Sequence, residues 1–189
     1  MKQFAIFALV GILLFSCSNE EKKKTSNVPT KEYLKGEINK MNDSLQVMYK
    51  KMMEEPGYKF PYLALNEAIY NHLQFYKFYP KDNYSAECLD KVQQLYLQKK
   101  AYDLSLKYTD TLLLKYPNYK GRPNLLLNAG STGEILQDTS IIRKYYTQLL
   151  TENPKLNPET KEMVTFRLQH LDLTFDQLID LQIKKISNK

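Results

Sequence analysis

The sequence predicts an all-α fold of antiparallel helical hairpins stacked on one another and closed by a C-terminal capping helix. Three observations carry this. Prolines recur at Pro80, Pro117 and Pro154, each 37 residues after the last, and a fixed period of this size marks a repeat architecture. Each closes an apolar-periodic stretch: HLQFYKFYP, TLLLKYP and YYTQLLTENP. Within these segments apolar residues return at helical steps, as in Leu89, Val92 and Tyr96, and no stretch alternates strictly as a strand would.

Composition bounds the alternatives. At 189 residues the chain has the length of one domain. A hydrophobic content of 43% excludes full disorder, and two cysteines exclude a disulfide-framed mini-protein. Only Phe4–Phe15 is continuously apolar, broken by Gly11, which excludes a polytopic membrane protein.

That first apolar run is twelve residues long and follows Lys2. Crossing a bilayer takes about 20 residues, so the run predicts a signal peptide rather than a membrane span. It ends Leu14-Phe15-Ser16-Cys17, which resembles the lipobox of bacterial lipoproteins. The resemblance implies cleavage of residues 1–16 and a diacylglycerol thioether on Cys17, the one covalent group expected; no other cofactor is expected. Cys88 is then left alone, with no intramolecular disulfide open to it. Residues 17–30 predict a lipidated cysteine and a polar tether, SNEEKKKTSNVPT, without apolar periodicity. Ser18, in place of an aspartate, points by the same resemblance to the outer membrane, and Glu20-Glu21 resembles the acidic signals that send some lipoproteins to the cell surface.

Residues 31–189 are expected to form the helical domain. An amphipathic first helix over 37–55 places Ile38, Met41, Leu45, Met48 and Met52 on one face. It pairs with a second helix carrying Ala68 and Phe75 before Pro80. The segment Ala86–Asn118 resembles the tetratricopeptide repeat. Leu89, Val92 and Tyr96 stand at its first-helix positions, Tyr102 after its turn, Ser105 at its close-contact position and Pro117 at its closing proline. Gln93 replaces the usual first-helix glycine, and Leu112 fills a position where a small residue is common. The next unit, Asn124–Pro154, matches through Leu126, Ala129, Gly130, Asp138, Ile142, Tyr146 and Leu149. The resemblance implies a short right-handed solenoid of about three repeats. At the end, Asn157-Pro158 reads as an N-cap with proline at the first helical position. Thr174-Phe175-Asp176-Gln177 reads as a capping box. The last helix is expected to bury Phe175, Leu178, Ile179 and Ile183 as a cap.

Candidates for chemistry are few. His72 and His170 lack any partner at ligand spacing, and structural roles are expected for both and for Cys88. Gly130-Ser131-Thr132-Gly133 lacks the lysine and spacing of a phosphate loop. Asp172, Asp176 and Asp180 form a solvated face. No metal site, no catalytic residue and no nucleic-acid partner is expected, the lysines being scattered rather than striped.

The repeat resemblance implies a groove lined by first helices that takes a protein partner. Counting along the repeat places Glu87, Asp90, Lys91, Gln94 and Gln98 there from one unit, and Asn124, Leu127, Asn128 and Ser131 from the next. The expected protein is a non-enzymatic lipoprotein adaptor of the Gram-negative envelope, on the periplasmic face or the cell surface, serving outer-membrane assembly or secretion. Two alternatives stand beside it. One is a subunit resembling the tetratricopeptide lipoprotein of the β-barrel assembly machine. The other is a glycan-binding surface lipoprotein that uses exposed tyrosines.

Overall fold

The structure, a computed structural model, describes residues 28–187. The expected signal peptide, the expected lipidated Cys17 and the expected tether up to residue 27 lie outside the described residues. The described chain is all-helical: α1 (Lys31–Glu54), α2 (Tyr62–Phe78), α3 (Tyr84–Gln98), α4 (Tyr102–Lys115), α5 (Arg122–Leu136), α6 (Thr139–Glu152), α7 (Pro158–Gln169) and α8 (Phe175–Ser187). From α1 to α7 each helix packs on the next in sequence.

The helices run alternately up and down, as cross-links between their ends require. Tyr79 at the end of α2 donates its hydroxyl to the Pro29 carbonyl just before α1, at 2.7 Å. Arg122 at the start of α5 pairs with Glu152 at the end of α6. Between helices that run the same way, Tyr49 of α1 donates to Gln98 of α3 at 2.7 Å, and Arg167 of α7 to Glu134 of α5 at 2.9 Å. Thr30 caps α1 by accepting from the Tyr33 amide at 3.2 Å, and Asp138 caps α6 by accepting from the amides of Ser140 and Ile141. The two caps read from the C-terminal sequence are present. Asn157 Oδ1 accepts from the Thr160 amide at 2.8 Å. Thr174 and Gln177 exchange both bonds of the capping box, at 2.8 and 3.3 Å.

The 37-residue period is built into the backbone. The α2, α4 and α6 ends are closed alike, by amides of Tyr79, Tyr116 and Asn153 on the carbonyls of Phe75, Leu112 and Leu149. The turns after α3 and α5 are also one turn used twice. Lys100 (φ 57°) and Gln137 (φ 54°) are left-handed. Beside them, Ala101 and Asp138 each donate to a carbonyl five residues back, Tyr96 and Gly133, at 2.9 Å. These are the bonds of a Schellman turn, with a side-chain-bearing residue where glycine would be unstrained.

Packing between repeats is apolar. One cluster joins α3, α4, α5, α6 and α7 through Leu89, Leu112, Leu126, Ala129, Ile142, Tyr146, Leu149 and Val164. A second joins α1, α2 and α3 through Met41, Leu45, Leu65, Ala68, Val92 and Leu95. A third, with Ile38, Phe75 and Cys88, seals the other end of the first three helices. Each fully buried leucine contributes about 1.5–3 kcal/mol by leaving water. Two of the close-contact positions, Ala68 and Ser105, hold small residues and are buried, and a Cβ on Gly130 would overlap the Tyr146 ring.

Three expected core residues are not in the core. Met52, in the last turn of α1, is 49% exposed. Ile179 (40%) and Ile183 (56%) of α8 also face outward, while Leu178 alone of the expected residues with described side chains is buried.

Candidate binding surface

The residues expected to line a groove divide into two groups. Glu87, Gln94, Gln98, Asn124, Asn128 and Ser131 are exposed, whereas Asp90, Lys91 and Leu127 are half-buried. Among the exposed, Gln98 is already engaged by Tyr49, its Oε1 accepting the phenol at 2.7 Å. Ser131 Oγ lies 3.4 Å from the Tyr146 hydroxyl. Asp90 is a structural tie: its two oxygens accept from Gln93 Nε2 at 2.9 Å and from the Tyr119 hydroxyl at 2.7 Å. Burial first, and then this bond to Asp90, raise the Tyr119 phenol above its ordinary range. The exposed side chains of this set that remain uncommitted on successive up-running helices are therefore Glu87 and Gln94 on α3 and Asn124 and Asn128 on α5.

Two hollows flank this row. One, of about 560 Å³, lies at the α4–α5 corner and is lined by Asn83, Ala86, Glu87 and residues 115–120. The other, of about 410 Å³, lies where α5, α6, α7 and α8 meet, lined by Ser131, Glu134, Tyr146, Met163, Phe166, Arg167, Leu178 and Ile179. There the Arg167 Nε–H is shared between both oxygens of Glu134 at 2.9 Å, and its Nη1 donates to the His170 carbonyl.

The histidines, Cys88 and residues 130–133 are placed within the fold as follows. His72 is buried, with Nδ1 2.7 Å from the Ala68 carbonyl of its own helix. That contact requires Nδ1–H, and burial lowers the pKa, so the ring stays neutral. Cys88 is fully buried among Leu34, Ile38 and Phe75. Burial pushes its thiol up to about 12, the reverse of an activated thiolate. Residues 130–133 lie within α5, not in a loop, and a Cβ on Gly133 would meet the Ile142 backbone nitrogen at 2.8 Å. His170 ends α7, its ring 4.6 Å from that of Phe166. Among the described residues no cluster of three or more metal-ligating side chains occurs, and no described helix is long and apolar enough to cross a membrane.

Some residues of this face carry no sequence signal. Tyr49 and Phe60 stack at 5.1 Å at the head of the first hairpin, and Tyr119 bridges α3 to the α4–α5 corner. Neither contact follows a motif, and the second spans 29 residues. No protein-family model matches the chain, and no curated protein or solved structure matches it significantly.

Proposed function

We propose that the chain is a lipid-anchored, tetratricopeptide-like adaptor of the bacterial envelope that binds a protein partner through its up-running helices and performs no catalysis. The observation that carries this reading is the row of uncommitted polar side chains, Glu87, Gln94, Asn124 and Asn128, on helices related by the 37-residue period. Repeat arrays use such successive helices as extended binding surfaces. The lipobox-like Leu14-Phe15-Ser16-Cys17 supplies the anchor. The neutral His72 and the buried Cys88 support a non-catalytic reading, since the two side chains best suited to acid–base or nucleophilic work are held in unreactive forms.

Two measurements test it. Mass spectrometry of the native N-terminal peptide should find an acylated Cys17, and Cys17→Ala should release the protein from the membrane; an unmodified, uncleaved N-terminus refutes the anchor. A photo-crosslinker placed at Gln94 or Asn128 in living cells should capture one defined protein, while the same probe at Lys107 on α4 should not. Capture from Lys107 alone would move the binding surface to the down-running helices. Asp90 is left unaltered in these tests, because removing it would free Tyr119 and Gln93.

A further inference from the structure

We infer that the edge of the array nearest the anchor docks on the anionic headgroups of the bilayer that holds Cys17. This rests on the lipidation reading and adds an orientation to it. Helix α1 begins at Lys31, fourteen residues after Cys17, so its start lies no more than about 50 Å of extended chain from the anchor. The start of α1 shares one edge with every corner between a down-running helix and the next up-running one. Tyr79 reaches Pro29, Tyr116 reaches the Pro80 carbonyl at 2.5 Å, and Arg122 reaches Glu152, which stitches the corners side by side.

That edge carries Lys77, Lys81, Lys115, Lys120 and Lys155, all exposed and none in an ion pair. Two further cations of this edge, Lys31 and Arg122, are already matched by Asp82 and Glu152. The exposed carboxylates in the facing first turns, Glu32, Glu87 and Glu159, are fewer than the free lysines. The opposite edge lies one helix length away, about 36 Å along α1. There Lys50 pairs with Glu54 and Lys99 donates to Asn66. Its remaining lysines, Lys51, Lys59 and Lys100, stand among Glu55, Asp103, Asp138, Asp172 and Asp176. The cationic excess is thus one-sided, and it is on the side where the tether joins the fold.

Aromatic rings sit between these lysines. Phe78 and Tyr79 line a hollow of about 600 Å³ with Lys31 and Lys81, and Tyr116 and Tyr119 line its neighbour with Lys115 and Lys120. Tyrosine is suited to the headgroup region, with an apolar body and a polar tip. Each lysine near an anionic surface multiplies partitioning about fivefold. The anchor makes docking intramolecular, so contacts too weak to hold a free protein suffice.

The test uses the whole chain from residue 17 with Cys17→Ser, which cannot be acylated, and vesicles of phosphatidylcholine with or without phosphatidylglycerol. Cosedimentation should favour the anionic vesicles and fall in high salt. Changing Lys77, Lys81, Lys115, Lys120 and Lys155 together to Gln should cost about tenfold or more in partitioning. The same change at Lys50, Lys51, Lys59, Lys99 and Lys100 should leave it within about twofold, with circular dichroism confirming that both variants are folded. Equal losses in the two variants, or no preference for phosphatidylglycerol, overturn the inference. An unacylated Cys17 in the native protein would instead refute the anchor, which this vesicle measurement does not read.

Discussion

The α3–α4 and α5–α6 hairpins solve one packing problem in opposite ways. In α5–α6 the first helix carries Gly130, and the ring of Tyr146 crosses directly over it. Thirty-seven residues earlier the same two positions are Gln93 and Thr109, both buried. The bulk has moved from one helix to the other. Ser105, where the later hairpin has Ile142, completes the exchange: its hydroxyl lies 3.4 Å from Gln93 Oε1, while Gln93 Nε2 donates to Asp90 at 2.9 Å. A buried amide costs little only when hydrogen-bonded, and here both ends have partners. At the first pair of positions a larger residue on one helix is matched by a smaller one on the other, with residue identity free to vary as long as its partner compensates.

The comparison can be broken most sharply at Gly130. Gly130→Gln should drive a side chain into the Tyr146 ring and lower stability by about 3 kcal/mol or more. Adding Tyr146→Thr recreates the pairing of the earlier hairpin and should recover at least half of the loss. Urea unfolding of the two single variants and the double gives the coupling directly, and a coupling near zero would refute complementary volume as the rule.

The mirror experiment should be milder. Thr109→Tyr overpacks the earlier hairpin at a cost of about 2 kcal/mol, and adding Gln93→Gly should relieve it. Relief is expected to be less complete than in the later hairpin, because removing Gln93 also takes a hydrogen bond from Asp90 and leaves Tyr119 as its remaining partner. Thermal unfolding of the three variants measures both effects.

A smaller contrast separates Tyr108 from Tyr145, again 37 residues apart. Tyr108 is half-buried and stacks on Tyr96 at 5.5 Å. Tyr145 is buried and donates to Asp110 at 2.9 Å. Burial first, and for Tyr145 the bond to Asp110 next, hold both phenols above their ordinary range. A pKa raised in the folded state contributes stability that is whole below the unfolded value of about 10 and is lost as pH rises beyond it. The urea midpoint of the wild type should therefore fall between neutral pH and about pH 11, and Tyr145→Phe should flatten that fall more than Tyr108→Phe. Equal flattening would mean that the Asp110 bond adds nothing to the difference.

The smallest effect tests what the two hairpins share. Lys100 and Gln137 hold the left-handed position of identical turns. Lys100→Gly and Gln137→Gly should each stabilise the protein by about 0.5 kcal/mol, the relief of Cβ strain outweighing the extra chain entropy. A gain at one turn and a loss at the other would show that the turns are alike only in backbone.

Much of this could be read from the chain alone, and the reasons differ by element. The closing prolines, the Asn157 cap and the capping box at Thr174 were legible because each is a short-range pattern whose partners lie within a turn of helix. Gly130 was legible because only glycine lets another helix's ring approach so closely. Gln93 stood out as a departure from the repeat, but Thr109, which makes it tolerable, did not. Met52, Ile179 and Ile183 have the right helical phase for a core, yet phase says which face a residue is on and not whether anything covers it. The proposed binding row was legible as positions. That Asp90 and Gln98 are spent on Tyr119 and Tyr49 was not, since those partners lie 29 and 49 residues away.

The sequence by itself therefore determined the helices, their caps, the 37-residue period and the lipobox-like signal, because all are local in the chain or periodic along it. Tertiary structure alone decided where volume is traded between helices, which polar side chains are left free, and that five exposed lysines outside any ion pair share the edge where α1 begins. Those outcomes depend on distances between segments that only the packed array brings together, and no spacing in the chain encodes them.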